Sequence, residues 1–161
     1  MSEKAEVITE SVVVQWMRDM GLSPNARSDA RANWVYEVQY PATGMIHYGV
    51  ANSRATPRAV TIACRMTPSP EQATAFRNLK DEAKRDFWRK LRAALHREFV
   101  EFQIEGAPFN ECPVSFQVSS VRYDDGLSLD SFARTLSSVH KACIDGCAVF
   151  EEELGVVATV K

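Results

Sequence analysis

The chain has 161 residues, 45% of them hydrophobic and 25% charged, which is the composition of a single globular domain. That composition excludes a disordered chain, a collagen-like chain and a coiled coil, and no apolar run approaches the roughly 20 residues of a membrane span. The formal net charge is −2, but residues 77–97 carry 8 basic and 3 acidic side chains whereas residues 98–161 carry 4 basic and 11 acidic. A basic helix beside an acidic C-terminal third can satisfy itself within one fold or across a dimer.

The opening Met-Ser-Glu-Lys-Ala-Glu-Val is polar and acidic, with no signal-peptide core after it. Cys64, Cys112, Cys143 and Cys147 are too few and too irregularly spaced for a disulfide scaffold. Both features predict a cytoplasmic chain whose cysteines are small buried hydrophobes. The whole of residues 1–161 reads as one domain, with short flexible ends at about 1–4 and 156–161.

Residues 5–20 predict the first helix. Ile8, Val12 and Trp16 recur every four residues, and Val13, Met17 and Met20 widen the stripe. Gly21 stands where a left-handed cap stops a helix. The polar run from Ser23 to Asp29 predicts a loop. The period then changes to 2. Trp34, Tyr36, Val38 and Tyr40, then Ile46, Tyr48 and Val50, then Val60, Ile62, Cys64 and Met66 predict three strands in a meander.

Ser69-Pro70-Glu71-Gln72 is a helix start. Ser69 can cap, Pro70 needs no donor at the first helical position, and Gln72 can close a capping box. The apolar stripe then runs from Phe76 to Phe99. One straight helix over 70–98 would be about 44 Å long, against about 39 Å for the width of a domain of this size. A break is therefore expected near Asn78 to Asp81, with Asp81 capping the second segment. Residues 99–105 and 113–123 predict a hairpin-like pair of strands. A shift of the apolar phase to Val121 and Tyr123 predicts a β-bulge near Ser119-Ser120. Ser128 is the expected N-cap of the last helix. Leu127 and Phe132 suit a hydrophobic staple, and Gly155 ends the stripe. The reading is an α+β fold with two layers, in the order α-βββ-α-ββ-α. Its sheet has five mostly antiparallel strands, with helices packed on one face.

Three segments carry a resemblance: Met66-Thr67-Pro68-Ser69-Pro70-Glu71, Val100-Glu101-Phe102-Gln103-Ile104, and Tyr123-Asp124-Asp125-Gly126-Leu127-Ser128-Leu129-Asp130-Ser131-Phe132. Over residues 8–154 the chain resembles the type III secretion chaperone-like superfamily. More specifically, it is similar to a small family of uncharacterised archaeal and bacterial proteins with that fold. The resemblance implies a peptide-binding or dimerising habit, because secretion chaperones are dimers that hold extended client segments. It implies no reaction and no catalytic residue.

The candidates for chemistry each have a structural explanation. His47 lies on a strand with no nucleophile or carboxylate at a recognisable spacing. His140, Cys143 and Cys147 run along two turns of one helix and cannot easily converge on one metal ion. Asp124, Asp125 and Asp130 lack the spacing of a calcium loop and suit a turn followed by a helix start. No Walker loop, GxGxxG or GxSxG is present. The expectation is therefore no enzyme, no cofactor and no metal. The expected function is a non-catalytic, chaperone-like or adaptor module that binds a protein partner or a second copy of itself as a homodimer. Trp16, Trp34, Tyr40, Trp88 and Phe109 are its candidate contacts. The alternatives are nucleic-acid binding through the basic segment 77–97, with Lys84, Arg85, Arg89 and Arg92 on the phosphates, or an enzyme without a recognisable motif.

Overall fold

Apolar residues at spacing 3.6 or 2 account for most of the elements found. In the computed structural model, which describes residues 10–155, the chain forms α1 (Glu10–Asp19), β1 (Asn25–Arg27), β2 (Ala32–Gln39), β3 (His47–Ser53) and β4 (Ala59–Met66). These are followed by α2 (Pro70–Arg77), α3 (Asp81–Leu95), β5 (Glu101–Glu105), β6 (Ser115–Tyr123), a 3-10 turn (Asp124–Gly126) and α4 (Leu129–Leu154). The residues expected to begin the first helix, 5–9, and both expected flexible ends lie outside the described residues.

The α+β class holds, but the sheet has six strands, not five. The strand order is β1-β2-β3-β4-β6-β5 and the element order is α-ββββ-αα-ββ-α, with four helices among the described residues. The added strand is β1, which pairs antiparallel with β2 through Asn25↔Glu37, Ala26↔Tyr36 and Arg27↔Val35. Its three residues are all exposed, so no buried side chain announces it in the sequence. Main-chain pairing, with the Arg27–Glu37 ion pair at 3.1 Å across it, makes it a strand.

The single long helix divides as its length requires. α2 and α3 are separated by Asn78, Leu79 and Lys80. Lys80, not Asp81, is the N-cap residue of α3, and no side chain caps it. α2 opens with the complete box: Ser69 Oγ accepts from Gln72 N–H, and Gln72 Oε1 accepts from Ser69 N–H. α1 ends in a Schellman motif. Gly21 has φ 76° and donates to Arg18 C=O, and Leu22 N–H donates to Met17 C=O. At α4, Ser128 Oγ accepts from Ser131 N–H. In β6, Phe116, Val118 and Ser120 are buried in strict alternation while Val121 and Tyr123 are exposed. The apolar phase shift is therefore no bulge. The strand keeps its period and turns two apolar side chains to solvent.

The chain forms two compact units. One runs up to Cys64 and includes Ser119–Val139; the other is Arg65–Val118 with the chain from His140 onward. The core of the first unit contains Val13, Met17, Val38, Tyr48, Val50, Ile62, Phe132 and Leu136. Buried Asn52 is satisfied there by Asn33 Nδ2 and by the carbonyls of Pro57 and Ala59. The core of the second is aromatic. Phe76 meets Phe87 edge-on with centroids 5.3 Å apart, Phe87 meets Phe150 at 5.0 Å, and Phe150 stacks on Phe116 at 5.9 Å.

Candidate functional site

The candidate aromatics are mostly committed to neighbours. Trp88 is 1% exposed and its indole N–H donates to Glu111 C=O, which makes it a core residue and no surface contact. Half-buried Trp16 lies against Phe132, Trp34 against Tyr36, Tyr40 edge-on to Tyr48, and Phe109 against Trp88. Trp16, Trp34 and Tyr40 belong to the first unit, and Trp88 and Phe109 to the second.

The basic residues of α3 divide in two. Lys90 sits between Asp86 at 3.1 Å and Glu153 at 2.7 Å, and these carboxylates hold its ammonium pKa above the usual lysine range. Half-buried Lys84 reaches over the Phe76 ring. Arg85, Arg89 and Arg92 are exposed and have no carboxylate within salt-bridge distance among the described residues. Just beyond the helix, Arg97 pairs with Asp145.

The titratable candidates serve structure. His47 Nδ1 lies 3.3 Å from Glu37 Oε1, and Arg27, also on that oxygen, holds the Glu37 carboxyl below its ordinary range. Arg58 grips Asp124 through two bonds of 2.9 and 2.8 Å, lowering the Asp124 pKa. Asp130 pairs with Arg134 one helical turn on. The Cys143 thiol, hydrogen-bonded to Cys147, and then burial push the Cys147 thiol pKa up. Burial moves Cys112 to about 11 and pushes half-buried His140 down. These thiols stay protonated near neutrality, the opposite of an activated nucleophile. Among the described residues, no three of His, Cys, Asp and Glu gather at a metal position.

A cavity of about 90 Å³ in the second unit is lined by Met66, Pro68, Phe116, Cys147 and Phe150, with Gln72 and Glu151. Small-molecule pockets run to roughly 300–1,000 Å³. The Gln72 amide is already spent on Ser69 N–H and Gly155 C=O. An open hollow of about 250 Å³ lies over Arg58, Tyr123, Asp124 and Asp125, where guanidinium and carboxylate neutralise each other.

The arrangement best suited to a partner is the edge strand β5. It ends the sheet order beside β6, and Val114 N–H donates to Glu105 C=O at 2.8 Å. In an antiparallel ladder alternate residues turn both main-chain groups toward the same neighbour. Since Glu105 C=O faces β6, the same alternation puts Glu101 and Gln103 toward β6 and turns the main-chain groups of Phe102 and Ile104 to the outer side, where no further strand lies among the described residues. On the side chains, Arg65 donates to Glu105 at 2.6 Å and to Ser115 Oγ at 3.1 Å, which fixes the strand laterally. Phe99, just before β5, is 66% exposed and has φ 60°. The aromatic candidates named from the sequence do not include this edge. The signal available for it was the Glu-x-Gln-x-Glu spacing, since charge at alternate positions marks a strand edge.

The fold is that of a known α+β protein. A crystal structure of an uncharacterized protein from Methanothermobacter thermautotrophicus superposes with a TM-score of 0.83 at 24% identity, covering 92% of this chain and 100% of that one. The chain belongs to the family described as "Uncharacterized conserved protein (DUF2299)", whose model matches residues 9–150. The sequence resemblance to a family of uncharacterised proteins holds at that level. No curated protein matches. No helix among the described residues is long and apolar enough to cross a membrane.

Proposed function

We propose that this protein is a non-catalytic, chaperone-like or adaptor module of the cytoplasm that holds an extended segment of a protein partner along β5. The observation that carries the reading is the place of β5 at the end of the sheet order, with Glu105 C=O turned to β6, so that alternation sets the main-chain groups of Phe102 and Ile104 on the outer side. Strand addition takes its affinity from such groups and its specificity from the side chains beside them. The resemblance to secretion chaperones, which hold extended client segments, supports the same mode.

The test begins with gentle purification from the producing cells and identification of the co-eluting protein by mass spectrometry. Its affinity is then measured by calorimetry against the wild type, Ile104→Pro and Gln103→Pro. Proline is tolerated on an edge where the N–H faces solvent and disrupts a strand where the N–H is in the ladder. Ile104→Pro should keep the melting temperature within a few degrees and weaken binding about tenfold, the equivalent of roughly 1.4 kcal/mol. Gln103→Pro should lower the melting temperature itself. Undiminished binding by a folded Ile104→Pro variant would rule out the edge as the site.

A further inference from the structure

The positive charge of α3 has an uncompensated part, and it lies on one stripe. At 100° per residue Arg85, Arg89, Arg92 and His96 fall within an arc of about 60°, and Arg85 to Arg92 spans about 10 Å of helix. All four side chains are exposed. Three acids near the stripe are engaged by other cations: Asp86 and Glu153 by Lys90, and Asp145 by Arg97. Asp81 and Glu82 sit in the first turn, at the far end of the stripe from Arg92. Arg85 is turned along its own helix by a bond to Asp81 C=O at 3.3 Å, and Arg89 has no ion pair among the described residues.

Beside the stripe stands an aromatic that the fold holds in place. Phe109 has φ 69°, a left-handed conformation that non-glycine residues rarely adopt. Its ring lies between Trp88, at 6.3 Å, and the Arg92 guanidinium, at 5.6 Å. The loop that carries it is tied to α3 by the bond from the Trp88 indole N–H to Glu111 C=O at 2.9 Å. Arg92 is thus held over a ring on one side and open to solvent on the other. Unpaired bases stack on guanidinium planes as well as on aromatic rings, and paired bases in a duplex cannot reach such a surface.

We propose that the Arg85–Arg89–Arg92 face of α3, with Phe109 behind it, binds single-stranded nucleic acid. Arg85 and Arg89 contact phosphates and Arg92 presents a stacking face to a base. This surface is separate from the β5 edge and stands or falls independently of it. Lys84 and Trp88 support the site without contacting the strand, since Lys84 lies over Phe76 and Trp88 is buried.

The experiment is fluorescence anisotropy on the full chain with labelled 12-nucleotide oligo-dT and oligo-U. A 12-base-pair duplex and heparin serve as competitors. Two phosphate contacts give a slope of about −1.4 in log affinity against log salt for a single strand. Raising NaCl from 50 to 200 mM should therefore weaken binding about 7-fold. Arg89→Ala should reduce the magnitude of the slope by about 0.7 with no change in melting temperature. Phe109→Leu should weaken binding several-fold at an unchanged slope. Ile104→Pro should bind nucleic acid as the wild type does. Three results would overturn the proposal: no binding of either single strand at 50 mM salt, full binding by the Arg85→Glu, Arg89→Glu, Arg92→Glu variant, or equal competition by duplex or heparin, which marks general attraction of polyanions.

Discussion

Gly146 lies inside α4, where a glycine costs about 1 kcal/mol relative to alanine. The reason for it is space. A Cβ there would stand 2.7 Å from Leu95 Cδ2 and 2.8 Å from Phe116 Cζ. Both neighbours are at most 2% exposed and packed in the core of the second unit. Overpacking of this kind costs about 1–3 kcal/mol, more than the helical gain. Gly146→Ala should therefore lose about 1 kcal/mol and lower the melting temperature by about 3 °C. A raised melting temperature would show that the contact yields easily. Asp124 gives a residue-scale prediction in pH. Hydrogen bonds and charge from Arg58 hold its carboxyl below 3.8 in the folded state. A depressed carboxylate stabilises the fold above its unfolded pKa, and that stability is lost as pH falls through the folded pKa. The melting advantage of the wild type over Asp124→Asn should be constant from pH 7 to 5 and narrow below about pH 3.8. An advantage that narrows near neutrality, or stays flat to the acid limit of folding, would assign the effect to another group.

Elements whose buried side chains repeat were legible in the sequence. β3 and β4 alternate as read, with Tyr48, Val50, Val60 and Ile62 buried. The capping box at Ser69 and the glycine stop at Gly21 are local chemistry that no distant contact alters. The break between α2 and α3 followed from length, which is a physical limit and not a motif. What was not legible depends on partners far along the chain. β1 is a strand because β2 lies beside it, and its own side chains are exposed. Val121 and Tyr123 looked like a change of face because apolar residues suggest burial, yet β6 exposes both. The β5 edge was missed for the same reason, since an edge strand is defined by the neighbour it lacks, whereas the arginines of α3 were named from their helical spacing and the structure adds which acids near them are engaged. Trp88 shows the converse: a large aromatic is a favoured contact residue by type, and only the structure reveals its indole turned inward to Glu111 C=O.

On the scale of the whole chain, the contrast between a basic central segment and an acidic C-terminal third resolves partly within the second unit, where Lys90 meets Glu153 and Arg97 meets Asp145. The remaining question at this scale is cooperativity. Domain boundaries ordinarily fall in exposed linkers that few contacts cross. Here the division between the two units falls within elements. It passes between Cys64 and Arg65 inside β4, between Val118 and Ser119 inside β6, and between Val139 and His140 inside α4. Unfolding one unit alone would cut two hydrogen-bonded strands and a 26-residue helix in mid-course. The cost of fraying three elements at once favours all-or-none behaviour, as expected of a single domain near this length. Differential scanning calorimetry should show one transition, with calorimetric and van't Hoff enthalpies equal at about 110 kcal/mol near 60 °C. Two resolved transitions, or a calorimetric enthalpy well above the van't Hoff value, would establish two domains that unfold separately.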